Sequence, residues 1–329
     1  MHAPNEIFAD PAWLPHRIDT ASRQVEFLKI PRDAIDAPAF LADRNPAERS
    51  LVDWKEIEGW DRPLPPICFI FHTAFCRSTL LVRALDRPGY ALGLSEPGIF
   101  ASLVNAQGAA NHLIPPLLGL LARSNGGVEA AFVKPTNHAN RLMPLLLQAA
   151  PQAKAILMTN ALPQFLRAVA RKGFMGRRWG RQLLLEMQSY AGVDLGMDAR
   201  ETFAMSDMQA AAVAWFLAQR WFALHLAGQV RGVSQGRLAV LDGDRFDSER
   251  QRTLEAAYAF AGVDVPPSDI ADRVASDLFA HHAKSGVAFS GDETNFGPRF
   301  DEEITQVDQW ITAIISQSGL DMPLQQTLF

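Results

Sequence analysis

Ile67-Cys68-Phe69-Ile70-Phe71-His72-Thr73-Ala74-Phe75-Cys76-Arg77-Ser78-Thr79-Leu80-Leu81 is the stretch on which the reading of the chain turns. Five apolar residues in succession, with no polar alternation, suit a strand buried on both faces. Helix-forming residues then run to Asp86, and Pro88-Gly89 stop them. The segment reads as strand, loop and short helix. The first turn of such a helix offers free N–H groups and the positive end of the helix dipole, and Ser78 and Thr79 add hydroxyls there. This is the chemistry of an anion site, to which Arg77 and Arg83 can add charge. A serine or threonine at this place equally serves as an ordinary helix cap.

Counting separates the enzymes that such a loop can host. The pattern G-x-x-x-x-G-K-[ST] fails, because residues 72–79 hold neither glycine nor lysine, and an ATP-dependent small-molecule kinase therefore ranks last. A thiolate phosphatase needs Cys, five residues and then Arg; from Cys76 the count lands on Val82, and Arg83 comes one place late. A helix start favours a thiolate at Cys76, but a small buried thiol is the simpler role.

Outward from this segment, similar apolar runs recur at 91–94, 130–133, 155–158 and 238–241. Between and after them, helices are expected over 79–86, 110–123, 139–150, 162–172, 206–227, 248–261 and 301–317. The alternation predicts an α/β fold with a mainly parallel sheet. Sites in such sheets gather at the carboxyl ends of the strands, where His72, Glu96, Lys134 and Asn160 stand. Residues 1–66 mix short apolar runs with Pro, Asp and Arg and end in the stiff Trp60-Asp61-Arg62-Pro63-Leu64-Pro65-Pro66. They are expected to form an appendage packed on the main domain, 67–329.

With 329 residues, 48% of them apolar, the chain can bury a substantial core. A net charge of -5 argues against a general nucleic-acid surface, so any anion site must be local. Cys68 and Cys76, the two cysteines, lie eight residues apart in one unit, poor geometry for a disulfide. Reduced cysteines and a start unlike a signal peptide point to the cytoplasm. The apolar stretch 210–228 contains Gln219, Arg220 and His225 and reads as a buried helix, not a membrane span. No zinc or EF-hand spacing occurs, and no metal is expected. Oligomeric state is left open.

Phe71 to Leu81, followed by Leu94-Ser95-Glu96-Pro97, resembles the sulfotransferase family, in particular bacterial members with a loop of the type H-T-G-F-C-x-S-T-L-L. Weaker similarity continues through Ala131-Phe132-Val133-Lys134-Pro135-Thr136, Leu142-Met143-Pro144, Ala212-Val213-Ala214-Trp215 and Leu238-Ala239-Val240-Leu241-Asp242, over about residues 67–265. The resemblance implies a P-loop NTPase-like three-layer fold with a mainly parallel central sheet. It also implies a co-substrate, 3′-phosphoadenosine 5′-phosphosulfate, held on Phe75, Cys76, Arg77, Ser78 and Thr79, with its sulfuryl group passing to a hydroxyl or amine of a small-molecule acceptor. The chain departs from the family at defined places. Phe75 stands at the usual basic position and Arg77 at the glycine. Asn160-Ala161-Leu162 replaces Arg-Asp-Pro, and Ala168 replaces the serine that binds the 3′-phosphate, which leaves Arg167, Arg171 or Lys172 for that group. The segment His281-His282-Ala283-Lys284-Ser285-Gly286 is similar to the family's basic closing segment and offers Lys284 to the nucleotide.

Glu96, 17 residues after Thr79, matches the place of a glutamate base in some members. Its plain alternative is a cap or salt-bridged carboxylate. His72 is the second candidate base, with a core or loop histidine as the alternative. Lys134 can stand in for the cation missing at Phe75 and stabilise the transferred group, or be a surface lysine. His138 follows at an expected helix start and ranks below these. Trp179, Trp215 and Trp221 belong to the core or to an apolar acceptor wall. A non-catalytic nucleotide- or anion-binding protein on the same fold is the second functional reading.

Overall fold

The computed structural model describes residues 2–35, 39–123, 130–229, 233–281, 298–320 and 324–329. Its strands are β1 (Trp13–Asp19), β2 (Gln24–Lys29), β3 (Arg49–Asp53), β4 (Ile67–His72), β5 (Ala91–Ser95), β6 (Ala130–Lys134), β7 (Lys154–Thr159) and β8 (Leu238–Asp242). The last five form a parallel sheet in the order β5-β6-β4-β7-β8. Each expected apolar run is one of these strands. Phe69, Phe71, Val133 and Leu157 pack into one core, and Cys68, Ile70, Phe132 and Ile156 into another. Burial of alternate residues on opposite faces explains why the runs lack polar positions. The protein is thus a three-layer α/β fold.

From β4 the chain goes out to β5, returns to β6 beside β4, and then crosses to β7 on the other side. That reversal opens a crevice beyond the carboxyl end of β4, between the ends of β6 and β7. Gln326 to Leu328 cover the outer edge of β8: the Thr327 and Leu328 amides donate to the Val240 carbonyl at 3.1 and 3.0 Å. An edge strand is thereby paired rather than left open.

Within the expected appendage, β1, β2 and β3 form an antiparallel sheet in that order, which no apolar run announces. Pro15 and a register shift before Arg17 interrupt the alternation that marks such a strand. Leu14 and Phe27 share a core with Phe69 and Phe71. Arg32 grips Asp86 with two bonds of 2.9 and 2.6 Å, and Asp86 also accepts from the Gly93 amide at 2.7 Å.

Prolines mark the first turns of two expected helices. A helix Gly98–Asn105 precedes Ile114–Leu121, which begins at Pro115-Pro116. Pro144 separates the 3₁₀ turn Asn137–Leu142 from the helix Met143–Ala149. The helix expected over 248–261 runs Arg250–Ala261, and a short helix Gly243–Ser248 precedes it. The largest difference is the 19-residue helix Gly173–Ala191, where none was read. Its Gly173, Gly176 and Gly180 lower intrinsic helix propensity. Packing compensates, since a Cβ on Gly180 would stand 3.0 Å from that of Ala211 on the helix Asp207–Leu226. Among the described residues, no helix is long and apolar enough to cross a membrane.

Candidate functional site

Between β4 and the helix Ser78–Ala84, the loop turns through three left-handed residues, Ala74 (φ 69°), Phe75 (φ 55°) and Arg77 (φ 65°). None is glycine, so each carries a cost of roughly 1–2 kcal/mol. Such a backbone persists only where its surroundings over-determine it, and they do. The Ala74 amide donates to His72 Nδ1 at 3.2 Å, which leaves the proton on Nε2 to be donated to the Pro135 carbonyl, also at 3.2 Å. Asn140 Nδ2 donates to the His72 carbonyl at 2.9 Å, and Thr73 Oγ1 donates to Asn160 Oδ1 at 3.0 Å. His72 is thus a brace, with both ring nitrogens turned to the backbone.

Phe75 lies against Phe165 and edge-on to Trp179, with centroids 5.9 and 5.2 Å apart. On the other side the loop meets Gly243, where an added Cβ would overlap the Cys76 carbonyl oxygen and approach the Thr159 oxygen to 3.1 Å. The Cys76 thiol is buried and pushed above its ordinary pKa by that burial, which fits the buried-thiol role. Ser78 and Thr79 open the helix and are buried. Among the described residues, the amides of Cys76, Thr79 and Leu80 have no protein acceptor.

Lys134 closes β6 and is fully buried, which removes the surface alternative. Its ammonium is ion-paired with the Glu96 carboxylate and lies 5.6 Å from the Phe40 ring centroid. Burial pulls its pKa below the ordinary value, Glu96 pulls the other way, and Cys76 of the loop lies within electrostatic reach. Glu96 takes a left-handed φ of 48°. Its backbone is pinned on both sides, the amide donating to the Lys134 carbonyl at 2.7 Å and the carbonyl accepting from Ala42 at 2.9 Å. The adjacency of β5 and β6 thus joins two residues 38 positions apart. The Glu96 side chain stays 21% exposed, so this carboxylate, and not the lysine, reaches solvent.

His138 lies nearby, its Nδ1 bonded to the Glu186 carboxylate. That bond raises the histidine pKa, burial opposes it, and the Glu96 charge adds to it. Arg141 lies over the Tyr190 ring at 5.5 Å. Glu186 and Tyr190 went unread because they sit on the glycine-interrupted helix. The helical spacing Glu186, Met187, Tyr190 is the signal that was there to find. Trp215 and Trp221 are braces: their Nε1 groups donate to the carbonyls of Asn160 and Asn140, both at 3.0 Å. Ser95 Oγ, Asn140 Oδ1, Asn160 Nδ2, Glu186 Oε1 and Gln219 Oε1 are buried without a protein partner. Buried polar atoms are normally satisfied, and these five surround the ends of β5, β6 and β7.

Other expected residues do not converge. Arg77 turns outward to Asp244 at 3.0 Å and Asp247 at 3.2 Å. Arg167 bonds Asp301 at 2.9 Å on the helix Pro298–Ser318. Lys284 lies outside the described residues. Among the described residues no cluster of side chains suited to a metal ion occurs.

No family model matches the chain, and no curated protein does. Solved structures resemble it. The sulfotransferase domain from the curacin biosynthetic pathway is 13% identical, with a TM-score of 0.41, over 80% of this chain and all of that one. A sulfotransferase from Alicyclobacillus acidocaldarius is 13% identical at 0.40, over 79% of this chain and 98% of that one. Retinol dehydratase in a complex with retinol and PAP is 11% identical at 0.33, over 81% and 85%. At these scores the resemblance assigns no role to any residue.

Proposed function

We propose that the crevice passes a sulfuryl group from 3′-phosphoadenosine 5′-phosphosulfate to a hydroxyl or amine of a small-molecule acceptor. The observation that carries this reading is the buried Lys134–Glu96 pair, set beside an anion-binding turn at the switch point of the sheet. The amides of Cys76, Thr79 and Leu80 and the hydroxyls of Ser78 and Thr79 hold the phosphosulfate end. Arg167 bonds Asp301, and Arg167, Arg171 and Lys172 on the same stretch of chain are the candidate cations for the 3′-phosphate.

In the transfer, a bond forms between the acceptor oxygen or nitrogen and sulfur as the bridging S–O bond breaks. The electron pair leaves on the phosphate oxygen, and the acceptor's proton goes to Glu96. Lys134 orients that carboxylate and acts on the developing charge through its field, which a dry interior screens weakly. His72 stays a brace. A second reading, binding without catalysis, is favoured by Arg77 being held by Asp244 and Asp247.

Calorimetry with adenosine 3′,5′-bisphosphate tests the first reading. Saturable binding, with sulfated product from an acceptor panel, is expected. Absence of heat at millimolar nucleotide would overturn it, and binding without product, together with a harmless Glu96→Gln change, would select the second.

A further inference from the structure

Two rungs join the 3₁₀ turn Asn137–Leu142 to the helix Gly173–Ala191. His138 and Arg141 are three residues apart, and side chains at that spacing eclipse in a 3₁₀ turn. Glu186 and Tyr190 are four apart and share a helix face. One rung is the His138–Glu186 hydrogen bond, and the other is the Arg141 guanidinium over the Tyr190 ring. Tyr190 is itself held edge-on by Trp221, with centroids 5.2 Å apart at 81°.

The rungs differ in charge. His138 has a carboxylate partner, whereas Arg141 is exposed and, among the described residues, has no ion pair. A guanidinium held over a ring keeps a fork of donors matched to a carboxylate or phosphate. His138 lies within electrostatic reach of Glu96, so the first rung stands near the proposed base, and the second follows one 3₁₀ turn on.

We propose that Arg141, braced on Tyr190, binds an anionic group of the acceptor. The acceptor class is then a hydroxy or amino compound that also carries a carboxylate or phosphate. This rests on the sulfotransferase reading, but binding alone tests it. The probes are benzoate, phenyl phosphate and neutral benzamide, titrated into the full chain while the His138 ring signals are followed by NMR and assigned with His138→Gln. Benzoate or phenyl phosphate is expected to shift these signals saturably, with affinity falling at least ~10-fold in Arg141→Gln and partly restored in Arg141→Lys, and benzamide is expected to do neither. A preference for phenyl phosphate over benzoate would assign the anion as phosphate, and the reverse as carboxylate. Absence of a saturable shift, or an equal response in Arg141→Gln, would overturn the proposal. Nucleotide calorimetry on the same samples separates the two ideas: nucleotide binding without anion binding removes only the anchor, and the converse removes only the sulfotransferase reading.

Discussion

The two sides of the crevice are built from different materials. On the loop side, residues 72–79 present backbone: three left-handed residues, open amides, an aromatic cap at Phe75 and an arginine already committed to Asp244 and Asp247. On the side of β5 and β6, the groups are charged side chains, with Lys134 against Glu96, His138 against Glu186, and Arg141 on a ring. The first side depends on conformation and the second on charge. Substitutions should therefore act through stability on one side and through turnover on the other.

The largest effect is expected from Glu96→Gln, which keeps the shape of the side chain and removes the base. Sulfated product should form ~10²–10⁴-fold more slowly with nucleotide affinity unchanged; an unaltered rate would break the comparison at its charged side. Lys134→Ala should follow, with a loss of about 10²–10³-fold in kcat, measured in the same assay.

Stability changes come next. Gly243→Ala drives a methyl group into the Cys76 carbonyl and should cost roughly 1–3 kcal/mol in denaturant unfolding. Ala74→Gly removes a left-handed L-residue. Relief of ~1–2 kcal/mol of strain is set against about 0.5–1 kcal/mol of added chain entropy, so this change should leave stability unharmed. A large loss there would show that the loop is held by side-chain packing and not by its backbone.

The smallest effect concerns pH. The His138 pKa is raised in the folded state, first by its bond to Glu186. The stabilisation from that bond is fully present below the unfolded-state value near 6.5 and fades as pH rises through the folded-state pKa. Glu186→Gln should move the His138 titration down toward 6.5, as read by NMR, and shrink this dependence; an unmoved titration would place the cause elsewhere.

The sequence exposed the conformational side better than the charged one. Doubly buried strands cannot hide, and β4 to β8 lie within a residue of the apolar runs that announced them. Ser78 and Thr79 begin a helix where the loop chemistry placed it. Pairings were another matter. Lys134 and Glu96 were each read, but their contact depends on β5 lying beside β6, which is topology and not local pattern. Arg77 was expected to face an anion, because Asp244, 167 residues away, leaves no local trace. Glu186, Tyr190 and their link to His138 and Arg141 were hidden by glycines that weaken the helix signal and yet make its packing possible.

The most direct test of the central claim compares the wild type with Glu96→Gln in two assays on the same samples: calorimetry with adenosine 3′,5′-bisphosphate and sulfated-product formation from 3′-phosphoadenosine 5′-phosphosulfate. Equal nucleotide binding with product lost only in the variant is the expected result. Product formed equally by both, or no nucleotide binding by either at millimolar concentration, would contradict it.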